Sequence, residues 1–273
     1  MGQSWRKRQM DFTEIIYEKR DGVARITINR PEKLNAATTT TMTEMVQALS
    51  DAWVDSSIGV VVLTGVGDRA FCTGGDQSIR ESGGYATGAM TLPLEVIWQQ
   101  ATQLIRSLPK PVIARVNGYA IGGGHVLQVA CDLSIASETA QFGQAGPRVG
   151  SFDPGVGTGD LVRCVGMKRA KEIWYLCRRY TAKEALDMGL VNCVVPPDKL
   201  DEEVDKWCSE LLAKSPLALK MLKYAFHAEW DGIVGITNLG VGGLSLYYRT
   251  EEAQEGRDAF MEKRQPDFGK FRK

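Results

Sequence analysis

The chain has 273 residues, 44% of them hydrophobic and 24% charged, and its 33 basic and 33 acidic side chains cancel. That composition is ordinary for a globular protein, and a balanced charge offers no general attraction to nucleic acid or to an anionic membrane. No apolar run approaches the roughly 20 residues that a membrane helix needs, so the expected location is the cytoplasm.

Residues 1–10 carry basic side chains with no apolar stretch behind them, which reads as a disordered leader and not as a secretion signal. Residues 12–17 and 23–28 are rich in β-formers and flank Asp21-Gly22, a hairpin signal. A threonine run after Asn35-Ala36 suits a helix cap, and Met42, Met45, Val46, Leu49 and Trp53 recur at helical spacing. Residues 58–64 form a continuous apolar run, as in a strand buried on both faces. Gly74-Gly75-Asp76-Gln77 follows as a glycine turn, and residues 78–93 read as a mobile loop. A helix is predicted from Pro93 to Ile105, with Leu94, Ile97, Trp98 and Ala101 on one side, then a strand over 111–116.

Gly122, Gly123 and Gly124 open an apolar segment that reads as a helix. Amides at a helix start point outward with the positive end of the helix dipole behind them, which suits an anion or a carbonyl oxygen becoming one. A tight turn packed against a large neighbour accounts for the glycines equally well. A short strand over 133–136 follows, and from residue 157 the chain turns mainly helical, with segments over 182–188, 200–213, 216–227 and 236–263 and a short strand over 190–195. Strands alternating with helices predict an α/β fold with a largely parallel sheet, whose ligands sit beyond the strand C-termini. Both glycine turns follow predicted buried strands and are candidates to face one pocket. The six cysteines form no paired motif and read as packed thiols. The two histidines have no ligand spacing, so no metal site is expected.

Asn29-Arg30-Pro31 with Asn35-Ala36, the 71–77 turn, Lys110-Pro111-Val112-Ile113-Ala114, the 118–124 segment and the 182–191 segment together resemble the crotonase (enoyl-CoA hydratase/isomerase) superfamily over about residues 11–273. The resemblance implies a spiral of ββα turns over 11–200, a helical C-terminal region of the same domain over 201–273, homotrimers or dimers of trimers, and an acyl-CoA substrate with no tightly bound cofactor. It also implies an oxyanion hole from the Gly75 and Gly123 amides. The two glutamates that hydratases of this family use as acid and base correspond to Val126 and Gly146, neither of which can carry a proton.

Two subgroups share that loss together with Gly-Gly-Asp-Gln and Gly-Ser-x-Asp turns. The 2-oxocyclohexanecarboxyl-CoA hydrolases open a ring, and the 1,4-dihydroxy-2-naphthoyl-CoA synthases of the menaquinone pathway close one on o-succinylbenzoyl-CoA. Residues 86–94 and Asp153-Pro154-Gly155 are similar to the hydrolases, whereas Thr250–Arg257 and Lys263–Phe268 are similar to the synthases. The resemblance places catalytic roles on Asp153, Ser151, Tyr85 and Tyr248, and sets Arg80 in the mobile loop. A turn role remains open for Asp153 and Ser151, an exposed loop aromatic for Tyr85, and trimer packing for Tyr248. Lys33, Leu34, Gly74, Asp76 and Gln77 match positions around the coenzyme A arm, with Phe260 and Lys263 on a C-terminal helix. Gln144, Gly146 and Trp174 match a bicarbonate site of some synthases. His125 lies in an apolar segment and reads as packing. A non-catalytic scaffold is a third expectation, and RNA binding is disfavoured by the zero net charge.

Overall fold

The computed structural model describes residues 11–81, 84–85, 92–152, 156–228 and 232–271. The expected leader and the expected acid/base Asp153 lie outside them. Residues 1–214 and 215–273 form two compact units.

The first unit runs β1 (Ile15–Arg20), β2 (Val23–Ile28), α1 (Thr39–Val54), β3 (Val60–Gly65), β4 (Ala70–Cys72), β5 (Arg80–Glu81), β6 (Gly84–Tyr85), α2 (Leu94–Ser107), β7 (Val112–Val116), β8 (Tyr119–Ile121), α3 (Gly123–Ala130), β9 (Leu133–Ser137), β10 (Gln141–Gly143), α4 (Val156–Leu176), β11 (Arg179–Thr181), α5 (Ala182–Asp187), β12 (Cys193–Val195) and α6 (Leu200–Leu212). One sheet has the order β1-β2-β3-β7-β9-β12 and is parallel except for the β1–β2 hairpin. A second has the order β11-β10-β8-β4, with β4, β8 and β10 parallel. Each pass of the chain lays one strand in each sheet and then a helix: β3, β4, α2; β7, β8, α3; β9, β10, α4. That is the expected spiral of ββα turns.

The run over β3 is buried throughout, and its side chains part to two faces. Val61 and Leu63 join Met42, Met45 and Leu49 of α1 in the main core. Val60 and Val62 meet Ile113, Ile135 and, from α6, Leu200 and Val204. α6 closes that second face of the sheet, and the first compact unit runs to residue 214. The second unit consists of α7 (Pro216–Ala228), α8 (Ile233–Tyr247) and α9 (Glu251–Met261). The helix expected over 236–263 is thus two helices, the second capped by Thr250, whose hydroxyl accepts from the Ala253 amide at 3.2 Å. No described helix is long and apolar enough to cross a membrane.

Other differences have local causes. The first strand starts at Ile15 because the Glu44 carboxylate takes the amides of Thr13, Glu14 and Ile15 at 2.8, 2.9 and 3.1 Å. The expected loop over 78–93 contains the β5–β6 hairpin, which pairs Arg80 with Tyr85. The threonine run does cap α1: Thr38 and Thr41 exchange side-chain and backbone hydrogen bonds.

Two buried asparagines fasten the crossing from β3 to β4. The Asn35 amide nitrogen donates to the Ala70 and Val66 carbonyls at 2.7 and 3.0 Å, and its oxygen accepts from the Arg30 amide at 3.1 Å. Asn117 donates to the carbonyls of Gly65 and Ala70 at 3.0 and 3.1 Å. Asn35 also has φ 54°, a left-handed conformation that asparagine tolerates better than most residues. Asn35→Ala is therefore expected to lower stability by about 3 kcal/mol, since it strands several buried groups at once. Denaturant midpoints of the two proteins check this.

Candidate functional site

Two glycine turns leave the C-terminal ends of β4 and β8, which are parallel neighbours in the second sheet. The turns follow these short strands and not the long apolar strands from which the sequence expects them. In the first turn, the Ala37 amide donates to the Gly74 carbonyl at 2.8 Å and the Asp76 amide donates to the Ala37 carbonyl at 2.9 Å. A parallel bridge that uses the groups on either side of Gly75 turns Gly75's own N–H away from that partner. In the second turn, Gly122 has φ 57° and ψ −123°, a conformation in which a Cβ would be strained, and α3 begins at Gly123. The Gly123 amide is one of the first-turn donors that a helix cannot satisfy internally. A Cβ built on Gly74 would stand 3.0 Å from the Gly123 nitrogen, so the turns abut. Gly75 and Gly123 both line one cavity of about 150 Å³, with Tyr85 and Ser151 at other parts of its wall.

The cavity wall carries little proton chemistry. Val126 is buried in it. Gly146 also lines it, and a Cβ there would meet the Ser151 carbonyl oxygen at 2.9 Å, so the backbone leaves no room for a side chain. Among the described lining residues the one carboxylate is Glu95, exposed in the first turn of α2. His125 is fully buried and its Nδ1 lies 2.7 Å from the Gln144 amide nitrogen. Burial pushes its pKa down to about 4, so it is neutral at pH 7 and packs, as its apolar segment suggests. The Cys72 thiol beneath the first turn is pushed up to about 12 by burial, despite accepting from the Gly74 amide, and is inert.

The other expected residues fall into three places. At the first turn, Gln77 donates to the Tyr85 hydroxyl at 2.5 Å and to the Gly75 carbonyl at 3.1 Å, which ties the β5–β6 hairpin to this glycine turn. Asp76 spends both oxygens inside the protein, on the Ser78 amide and hydroxyl and on Arg30 at 3.0 Å. Burial alone would raise its carboxyl; the Ser78 hydrogen bonds and the Arg30 guanidinium outweigh it and hold the pKa below the ordinary value. Arg80, which is exposed, donates to the Val149 and Gly150 carbonyls at 2.5 and 2.6 Å. It thereby anchors the segment that presents Ser151, whose amide donates to the Gly146 carbonyl at 2.8 Å. Lys33 is exposed and Leu34 half-buried, at the end of a short helical turn before Asn35.

Around the cavity, Gln144 and Trp174 are both buried lining residues, and the Trp174 indole N–H has no partner among the described residues. In the second unit, Tyr248 and Phe260 are exposed, and Lys263 follows α9 with φ 54°. Sequence reasoning missed the α2 wall, where Leu94, Glu95, Trp98, Gln99 and Thr102 line the cavity. The available signal was Thr102, a polar residue eight positions from Leu94 and four from Trp98, set within an apolar stripe.

The family model for enoyl-CoA hydratase/isomerase matches residues 18–271. A solved enoyl-CoA hydratase subunit I from Geobacillus kaustophilus is 34% identical, with a TM-score of 0.72 over 94% of this chain and 98% of that one. An enoyl-CoA hydratase from Bacillus anthracis is 31% identical, with a TM-score of 0.74 over 93% and 98%. A monofunctional enoyl-CoA isomerase from Mycobacterium smegmatis is 32% identical, with a TM-score of 0.69 over 81% and 97%.

His125 gives the site a pH signature. Its folded pKa of about 4 lies below the ordinary 6.5, so protons bind the unfolded chain more readily. Its contribution is complete above pH 6.5 and is lost as pH falls towards 4, a difference of about 2.5 units or about 3 kcal/mol. Stability of the wild type is expected to fall by that much more than that of His125→Asn across this window, as chemical denaturation at each pH would show.

Proposed function

The chain belongs to the enoyl-CoA hydratase/isomerase family, and from that membership we propose that it hydrolyses a carbon–carbon bond in a cyclic 2-oxoacyl-CoA, in the manner of a 2-oxocyclohexanecarboxyl-CoA hydrolase. The observation that carries this reading is a site with two abutting glycine turns but with Val126 and Gly146 where hydration needs acids. The cavity, at about 150 Å³, also matches a six-membered ring: engineered cavities of that size accept benzene.

In this mechanism the thioester oxygen lies between the Gly75 and Gly123 amides. Water adds to the ring ketone carbon and gives its proton to Asp153. The bond from that carbon to the thioester α-carbon breaks, and its electron pair passes into the thioester enolate held by the two amides. The α-carbon then takes that proton back from Asp153, and the former ketone carbon becomes a carboxyl group at the far end of an open-chain acyl-CoA. Donors already aimed at the enolate oxygen supply the main stabilisation, and losing one of such a pair typically costs on the order of 10²–10³ in turnover. Ser151 orients Asp153 or bonds a substrate oxygen, and Tyr85, held beside Gly75 by Gln77, closes the acyl pocket. Lys33, Leu34, Gly74 and Asp76 shape the path of the coenzyme A arm, Asp76 by fixing its turn. Gln77 and Arg80 act on the hairpin and the 149–151 segment.

The protein acts as a homotrimer or a dimer of trimers. Large exposed apolar side chains on the second unit, among them Val234, Ile236 and Tyr248, suit burial against another copy.

A second reading, ring closure of the naphthoyl-CoA synthase type, is favoured by Gln144, Gly146 and Trp174. A bicarbonate ion has one O–H donor and several acceptor oxygens. These residues fit it, since Trp174 has an unpartnered buried N–H, Gly146 begins a helical turn, whose first amides have no partner within the turn, and the Gln144 nitrogen bonds His125, which leaves its oxygen as acceptor. Bound there, bicarbonate would supply a weakly basic oxygen where no side chain fits.

Purified protein is expected to convert 2-oxocyclohexanecarboxyl-CoA to an open-chain dicarboxylic thioester and to leave o-succinylbenzoyl-CoA unchanged, by mass spectrometry; the reverse outcome selects ring closure. Asp153→Ala is expected to lower kcat at least 100-fold, the scale of a lost general base, and wild-type turnover in that variant would remove Asp153 from the mechanism. If the anion site is used, added bicarbonate raises kcat in the wild type and has no effect in Trp174→Phe.

A further inference from the structure

The α2 wall carries a hydrogen-bond donor that the steps above leave unused. Trp98 lies one turn from Leu94 and one turn from Thr102, and all three line the cavity. Its six-membered ring covers the start of α3: a Cβ on Gly123 would stand 2.5 Å from Cζ2 and 2.8 Å from Cη2. The indole Nε1 is buried and has no acceptor among the described residues. Nearby Thr102 is no substitute, because its hydroxyl donates to the Trp98 and Gln99 carbonyls at 3.2 and 2.9 Å. A buried donor left without an acceptor is costly, and such groups are rare enough in folded proteins to need a reason. Packing over Gly123 accounts for the six-membered ring, whose Cζ2 and Cη2 make the contact, but not for an N–H left without an acceptor.

We propose that the Trp98 N–H is the recognition element for an oxygen at C3 of the acyl group, which makes the cavity selective for 3-oxoacyl thioesters. This rests on the reading of the site as an acyl-CoA pocket with the thioester oxygen at the Gly75 and Gly123 amides. A ring lying on Gly123 is then beside the first carbons of the acyl chain. The C3 oxygen gains negative charge as water adds to its carbon, and a fixed donor in a dry wall stabilises that charge as the two amides stabilise the enolate. Trp98 gives up no proton in this role; it holds the ketone oxygen by a hydrogen bond. The cavity would thus have separate donors for the two oxygens on which charge develops.

Acetoacetyl-CoA and butyryl-CoA have the same chain length and differ by the C3 oxygen, so their binding to wild type and to Trp98→Phe, measured by calorimetry, tests the assignment. Wild type is expected to bind acetoacetyl-CoA about tenfold or more tightly than butyryl-CoA, the scale of one buried hydrogen bond. Trp98→Phe is expected to weaken acetoacetyl-CoA binding by that factor and leave butyryl-CoA binding unchanged, which also shows that the variant is folded. A wild type with no preference overturns the proposal without any variant. So does a variant that keeps the preference or that weakens both ligands equally. A wild type that shows the preference but does not turn over 2-oxocyclohexanecarboxyl-CoA removes the ring-opening reaction and leaves the role of Trp98 standing.

Discussion

A Cβ on Gly124 would stand 1.9 Å from the Cys72 carbonyl oxygen, and one on Gly74 would stand 3.0 Å from the Gly123 nitrogen. This close approach, possible only because Gly74 and Gly124 carry no Cβ, governs the site. It places the N-terminus of α3 against the end of β4 and brings the Gly75 and Gly123 amides to one cavity. The surrounding structure holds that approach fixed. Asn35 and Asn117 fasten the β3–β4 crossing, and Arg30 joins the first turn to the 35–37 segment through Asp76 and the Ala36 carbonyl. The two-sheet spiral supplies the parallel strands β4 and β8 from which both turns spring. In the proposed role, donors placed in this way would need no reorganisation when charge appears on a ligand oxygen.

The same compactness limits the acids. Val126 lies on the first helical turn beyond the glycines, where an apolar side chain fills the wall. Gly146 faces the Ser151 carbonyl so closely that even an alanine would displace the backbone. Polar groups at the wall lie instead near the 149–151 segment, which Arg80 holds through two carbonyls, and at the hairpin, which Gln77 holds through Tyr85. Arg80 and Gln77 thus link the first glycine turn to both flanks of the pocket. Neither was legible as a tie in the sequence, where Gln77 read as part of the glycine turn beside the coenzyme A arm and Arg80 as a residue of the mobile loop.

What the sequence showed and what it hid follow from length scales. Strands such as β3 have six residues and a continuous apolar run, and they could be read directly. The strands β4, β8, β10 and β11 have three residues each, too few for any period, yet they build the sheet that carries the site. The glycine turns were legible because glycine triplets and pairs have few other uses, though which neighbours required them was not. The α2 wall was hidden because Trp98 sits in a stripe that reads as core, and only its unpartnered nitrogen, a property of packing, distinguishes it. The loss of both acids needed no structure to be seen. That Gly146 could not be refilled needed the position of the Ser151 carbonyl.

The central claim is that these glycine turns serve carbon–carbon bond cleavage and not hydration. Turnover in ¹⁸O-labelled water tests it most directly, with 2-oxocyclohexanecarboxyl-CoA and crotonyl-CoA supplied separately and the products weighed by mass spectrometry. The account predicts an open-chain product with one labelled oxygen in its new carboxyl group, and no labelled 3-hydroxybutyryl-CoA. Labelled 3-hydroxybutyryl-CoA formed readily, with the ring thioester recovered intact, would contradict it.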